Sequence, residues 1–162
     1  MKKMRLLFVA SLLFFAQLSM AGSIINTIGS KDNVAILGYD TVGFFTEKKA
    51  VEGKPEFVYE WLGAKWLFAS QQNLTLFKEN PEKYSPQYGG HCAWCVSENC
   101  ISRKPFSGSF DIVNGRLYLF GIGNSSRDGA RTGWWQTGGG PSRRIPDGDK
   151  NWPALKARLE AR

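Results

Sequence analysis

The stretch FVYEWLGAKWLFAS (residues 57–70) decides how the first half of the chain folds. Aromatic side chains recur at every second position, which places them on one face of each of two strands: Phe57, Tyr59 and Trp61, then Trp66 and Phe68. Between the two runs, Gly63-Ala64 predicts a two-residue turn. Strands over 57–62 and 65–69 should therefore pair as a hairpin with one aromatic face.

Flanking segments extend this hairpin into a small mixed structure. Ser70 is placed to cap a helix of about ten residues that ends at Asn80-Pro81. Upstream, residues 34–37 predict a short strand that breaks at Gly38, and Asp40 is placed to cap a helical turn. Residues 81–88 predict an irregular lead into the next segment.

A second hairpin is predicted where residues 110–113 and 116–120 flank Asn114-Gly115, because this pair favours a type I′ turn. Residues 121–149 are rich in Gly, Ser and Arg and predict mostly loop, with Trp134-Trp135 packed back on the core. A last helix carries Leu155 and Leu159 on one face. Together these elements predict an α+β fold in one small domain with β-hairpins and short helices.

The first 21 residues have the features of a signal peptide. Lys2, Lys3 and Arg5 precede an apolar run, and Ser19-Met20-Ala21 is a small-x-small cleavage site. The run is too short to span a bilayer, so no stable membrane anchor is expected. We therefore expect a periplasmic or secreted protein with one domain over residues 22–162.

Charge argues against nucleic acid as a partner. Removing the three cations of the signal peptide lowers the formal net charge from +7 to +4. The remaining excess is spread along the chain, and no basic stripe interleaved with aromatic residues is present. A metal ion and another periplasmic protein are the partners that we expect instead.

The chain's three cysteines and its single histidine all fall within residues 91–100, as His91, Cys92, Cys95 and Cys100. If residues 90–98 are helical, the first three share a face. Two thiolates and an imidazole suit Cu(I) or zinc. Closing a tetrahedral four-ligand site within ten consecutive residues is difficult, so a site with three ligands, or one shared with another chain, is favoured.

Two other interpretations of this segment stay open. Cys92-Ala93-Trp94-Cys95 is a Cys-x-x-Cys pair, with Cys92 as nucleophile and Cys95 as resolving thiol in a thiol-disulfide protein. Export alternatively favours a structural disulfide, 92–95 or 95–100, with one spare thiol. Haem attachment is not expected, because Val96 stands where the motif needs His. No other catalytic constellation is found, so a non-enzymatic role is favoured.

Several motifs resemble the exported YHS-domain proteins of bacteria. They are Leu37-Gly38-Tyr39-Asp40, Trp66-x-Phe68-Ala69-Ser70, Asn80-Pro81-x-x-Tyr84 with Gln87-Tyr88-Gly89-Gly90-x-Cys92, Asn114-Gly115-x-Leu117-Tyr118 and Asn151-Trp152-Pro153. The resemblance implies a treble-clef-like fold and an association with copper and heavy-metal handling. It implies a family cysteine only at Cys92. His91, Cys95 and Cys100 are then additions of this chain, and the Cys segment follows Pro81-x-x-Tyr84 rather than preceding it.

Overall fold

The computed structural model describes residues 23–124, 126–137 and 139–162, and the predicted signal peptide lies outside them. The described chain contains two separate two-stranded antiparallel sheets: β1 (Lys54–Trp61) with β2 (Ala64–Phe68), and β3 (Phe106–Val113) with β4 (Arg116–Gly121). The helices are α1 (Gly43–Thr46), α2 (Gln71–Glu79), α3 (Pro81–Tyr84), α4 (Ala93–Ser97), α5 (Gly129–Gln136) and α6 (Gly140–Glu160). The α+β prediction is confirmed. None of the described helices combines the length and hydropathy of a membrane span.

Both hairpins turn through two residues with positive φ, as type I′ geometry requires. The second turn is Asn114-Gly115, as predicted (φ 52° and 75°). The first is Leu62-Gly63 (φ 48° and 73°), because Trp61 pairs with Ala64, so the predicted Gly63-Ala64 turn was one residue too late. Gly63 takes the second turn position, where the larger positive φ falls.

Strand β4 separates two apolar clusters, because successive side chains of a strand point to opposite faces. Leu117 and Leu119 join a cluster with the aromatic face of β1–β2 and with α2. Tyr118 and Phe120 join a second cluster with α4, α5 and α6. Apart from the side chains of the hairpin β3–β4 itself, the first cluster is built from residues before Tyr88. The second is built from Tyr88 and later residues.

The first cluster is tied together by the carboxylate of Asp40, which is fully buried. Its Oδ1 accepts from the backbone N–H groups of Val42 (2.9 Å) and Gly43 (3.2 Å), which caps α1 as predicted. Its Oδ2 accepts from the backbone N–H of Ala69 (2.8 Å) and the side-chain amide of Asn73 (2.7 Å). One side chain therefore fixes α1 to the end of β2 and the start of α2.

The prediction for α2 is confirmed, since Ser70 accepts from the backbone N–H of Asn73 (3.2 Å) and the helix ends before Pro81. Residues 34–37 are not a strand: Ala35–Gly38 form a tight turn with Ile36 and Leu37 in the left-handed region. Residues 81–88 are more regular than predicted, because Asn80 caps the short helix α3.

The prediction of mostly loop over 121–149 is wrong, because α5 and the first half of α6 lie there. Trp134 is buried in the second cluster, whereas Trp135 is 49% exposed and donates to Asp111. Within the last helix, Leu155 and Leu159 are both buried, as predicted. Tertiary packing of these side chains stabilises helices that the Gly-rich sequence does not favour by itself.

Gly53, which immediately precedes β1, is expected to be one of the least replaceable residues beside the first sheet. A Cβ there would lie 2.5 Å from the carbonyl carbon of Leu67 and 2.6 Å from its oxygen, so Gly53→Ala should cost about 3 kcal/mol of unfolding free energy. Gly63→Ala is the matched control, because its Cβ would meet nothing within 4 Å and only the positive φ opposes it. Urea denaturation should give a loss of about 1 kcal/mol for the control. Equal losses would contradict the steric explanation.

Candidate functional site

The segment with His91 and the three cysteines folds around the short helix α4. His91 has an extended backbone (φ −68°, ψ 155°), Cys92 is the N-cap, and the helix itself runs only from Ala93 to Ser97. The expected helix over 90–98 is therefore too long. His91 precedes the first turn and does not share a helix face with Cys95.

The end of α4 returns the chain onto Cys95. The backbone N–H of Cys100 donates to the carbonyl of Cys95 (2.9 Å), and that of Asn99 donates to the carbonyl of Val96 (3.0 Å). With Asn99 in the left-handed region (φ 58°), these two bonds form a Schellman motif. This motif brings the side chains at its two ends into contact, here Cys95 and Cys100. Because Cys92 lies one turn before Cys95, the middle thiol is adjacent to both others.

The three thiols form a row from the core to the surface: Cys92 is buried, Cys95 is half-buried and Cys100 is exposed. The thiol of Cys95 lowers the pKa of Cys92 to about 6, against the effect of burial, and the backbone N–H groups of Cys95, Gly121 and Trp94 act in the same direction. The pKa of Cys95 is raised, mainly by the hydrogen bond between its thiol and that of Cys92 and then by burial. The thiol of Cys100 raises it further. Cys92 is thus the thiolate of the pair near neutral pH.

Helices α5 and α6 hold α4 in position. The ring of Trp94 covers Gly133 so closely that a Cβ there would lie 2.9 Å from it. Asn151 donates to the carbonyls of Val96 (3.1 Å) and Ser97 (3.2 Å), which satisfies acceptors that the short helix leaves free. The thiols therefore lie on a supported element rather than on a loose loop.

His91 belongs to a different environment from the thiols. The residue is buried, with 4% of its surface exposed. Its ring lies near Trp152, at 6.2 Å between centroids, and His91 and Arg162 line the same cavity. Neither ring nitrogen has a hydrogen-bond partner of normal geometry among the described residues. Burial lowers the pKa of His91 to about 4. The backbone of Ile24 lies near the ring without forming a hydrogen bond of normal geometry, and it opposes this shift by raising the pKa. Arg162 lowers the pKa further, so the ring is neutral near pH 7.

His91 should make the folded state sensitive to acid. Its pKa of about 4 lies below the value of about 6.5 in the unfolded chain, so between these values only the unfolded chain is protonated. The stabilisation is complete above pH 6.5 and is lost as pH falls toward 4, by about 2 kcal/mol between pH 7.5 and pH 5. Urea denaturation at these two pH values should show this loss for the native chain. His91→Leu should remove that part of the loss, and an unchanged pH dependence in the variant would contradict the assignment.

Of the four predicted ligands, the structure brings the three cysteines together and leaves His91 apart. Within the described residues, no group of three or more His, Cys, Asp or Glu side chains is arranged to hold a metal ion. The sulfurs form a row rather than a closed set. All three cysteines are free thiols, so neither of the two anticipated disulfides is formed.

Sequence reasoning did not identify the polar cavity beside β3 and α5. It has a volume of about 590 Å³, and Asp111, Asp128 and Arg131 are among its lining residues. Arg131 donates to Asp111 through two nitrogens (3.1 and 2.6 Å), and this ion pair raises the pKa of Arg131. The sequence pattern did not indicate this cavity, because Asp111 is distant in sequence from Asp128 and Arg131. Since Asp111 and Arg131 already pair with each other and Asp128 accepts from Ser109, this cavity is a weak candidate for a ligand site.

The comparisons with known proteins bear on the first half of the fold. The family model of the YHS domain matches residues 42–88. The chain contains a YHS domain. Neither the curated proteins nor the solved structures give a match. The matched residues include α1, both strands of the first hairpin, α2 and α3. They contain the donors of the Asp40 network and most of the first cluster, whereas Asp40 itself lies just before the match.

The YHS match ends at Tyr88, before the His and Cys residues. The match therefore says nothing about which of the cysteines is a family residue. Tyr88 connects the two parts of the protein, because its hydroxyl donates to Asp149 of α6 (2.9 Å). Arg116 of β4 contacts the same carboxylate (3.2 Å). The YHS domain is thus fixed against the helix that supports the thiols.

Proposed function

We propose that this protein binds Cu(I) as cargo in the periplasm through the thiolates of Cys92 and Cys95, with Cys100 as the exposed third sulfur. The observation that carries the proposal is the row of three thiols along α4. Cys92 is the N-cap of this helix, Cys95 lies within it, and the Schellman motif returns Cys100 to Cys95. Sulfur is the donor that Cu(I) prefers, and two or three soft donors suffice for it. The YHS domain supports a role in metal handling.

Zinc fits this donor set less well. Structural zinc sites take four ligands, and the fourth candidate, His91, lies in another environment. Cys92 is ready to bind as thiolate, whereas Cys95 has to release a proton to solvent. The exposure of Cys100 makes it the thiol that a second metal-handling protein would meet first.

Thiol-disulfide exchange is less well supported. Exchange needs the low-pKa thiol to be accessible, because the thiolate is the attacking group. Here the low-pKa thiol is Cys92, which is only 4% exposed. The accessible thiol is Cys100, at the other end of the row.

Cu(I) titration of the purified protein tests the proposal. Free thiols are first counted on protein isolated without reductant, and Cu(I) is then added in competition with a chromophoric Cu(I) chelator. The account predicts three free thiols and one tightly bound Cu(I) per chain, with Zn(II) bound more weakly. A disulfide that exchanges readily with small thiols and leaves no Cu(I) uptake would support the redox interpretation instead.

A further inference from the structure

A cavity of about 560 Å³ opens beside His91, away from the paired charges of β3 and α5. It is lined by residues between 23 and 33, by residues 101–103, and by Leu159 and Arg162 at and beyond the end of α6. It adjoins a smaller cavity of about 240 Å³, and the two share four lining residues: Ile101, Arg103, Leu159 and Arg162. The larger volume is within the range of small-molecule sites.

The charged side chains that line these two cavities all have one sign. Arg103 and Arg162 line both, and Arg158 lines the smaller. No Asp or Glu is among the described residues that line either cavity. Within the described chain, the guanidinium groups of Arg103 and Arg162 have no ion-pair partner, and Arg158 contacts only Asn99 and a backbone carbonyl. Three guanidinium groups with no acidic side chain in the lining favour an anionic ligand.

Part of the lining of the larger cavity is apolar, and His91 is its most buried polar side chain. Ile25 and Leu159 are buried and Ile101 is half-buried, so they offer hydrocarbon surface beneath the arginines. His91 lines the same cavity with two unpartnered ring nitrogens, and burying such a group without a partner costs free energy. A ligand that accepts or donates a hydrogen bond here would remove that cost.

We propose that this cavity binds a small organic carboxylate with an apolar body. The carboxylate lies between Arg103 and Arg162, because a guanidinium presents paired donors that match its two oxygens. The apolar body lies against Ile25 and Leu159, and His91 supplies one hydrogen bond. None of the three cysteines lines this cavity, although Cys100 lines the smaller cavity beside it. The proposed site takes no ligand from the cysteine row and does not depend on metal binding.

An NMR titration with octanoate tests this site on the purified protein, observed through the methyl groups of Ile25, Ile101 and Leu159. Octanoate should shift these methyl signals saturably. The double variant Arg103→Gln with Arg162→Gln should bind roughly 10-fold more weakly, since charged hydrogen bonds are lost. His91→Leu should bind roughly 5-fold more weakly. Lys156→Gln removes one cation of α6 that lines neither cavity, so this control should bind as the native chain does.

Octan-1-ol and inorganic phosphate test the two parts of the proposal separately. The first ligand has the apolar body without the carboxylate, and the second has negative charge without an apolar body. If octan-1-ol shifts the same methyl groups as strongly as octanoate, the arginines do not select the ligand and the proposal is wrong. If phosphate binds as tightly as octanoate, the site recognises charge alone, which also overturns it. Undiminished octanoate binding by the double arginine variant would place the ligand elsewhere. Arg103 and Arg162 are exposed, so the double variant should retain the native unfolding midpoint.

Discussion

Replacing Asp40 with alanine should lower the free energy of unfolding by about 4 kcal/mol, because four buried donors lose their acceptor at once. Two of these donors start α1, one ends β2 and one belongs to Asn73 of α2. A loss of this size is a large part of the stability of an ordinary domain. Urea denaturation followed by tryptophan fluorescence measures it directly.

Two further variants identify the cause of the Asp40 effect. Asp40→Asn keeps the shape of the side chain but replaces one of its two acceptor oxygens with an NH2 donor. That NH2 group faces either the N–H groups of α1 or those of Ala69 and Asn73, so we expect a loss of about 2 kcal/mol of unfolding free energy. Glu47→Ala is the control, since its ion pair with Lys49 is exposed and worth less than about 1 kcal/mol. If Asp40→Ala behaved like Glu47→Ala, the network would not hold the YHS domain together.

Serine at Cys92 or at Cys95 should weaken Cu(I) binding by on the order of 100-fold or more, because each substitution removes one of two thiolate ligands. Competition with a Cu(I) chelator measures the affinity. Circular dichroism and the unfolding midpoint check that each variant is folded, which matters most for the buried Cys92. Cys95→Ser is the cleaner variant, because this side chain is only half-buried.

Two control variants distinguish the cysteine row from the original four-ligand hypothesis. Cys100→Ser should cost less than about 10-fold in Cu(I) affinity, since the thiol at the exposed end acts as third donor. His91→Leu should leave the affinity unchanged, because its ring lines another cavity. A large loss of affinity in His91→Leu, with the fold intact, would restore His91 as a ligand and contradict this account.

Local chemistry explains where sequence reasoning succeeded in the fold. Asn114-Gly115, the Ser70 cap and the Asp40 cap each act within a few residues, so their signals can be read from the chain alone. Helix α5 and the first half of α6 could not be predicted in this way. They form because Trp134 and Leu155 pack on Tyr118 and Phe120 of β4, which are distant in sequence.

The residues of the candidate site could be predicted from the sequence. Which of them lie together in the fold could not. Confinement of the three cysteines and His91 to one segment identified the region. The spacing did not reveal that Asn99 ends α4 in a Schellman motif and returns Cys100 to Cys95. Nor could it show that His91 precedes the helix and faces the arginine-lined cavity. The short length of α4 decided both outcomes, because this helix begins after Cys92 and ends in the Schellman motif.

Copper K-edge X-ray absorption on the protein loaded with one equivalent of Cu(I) tests the central claim most directly. The account predicts sulfur neighbours alone, supplied by Cys92 and Cys95 with Cys100 as the third donor, and no outer-shell scattering from an imidazole ring. Nitrogen in the first shell with the imidazole signal, lost in His91→Leu, would contradict the separation of His91 from the thiols.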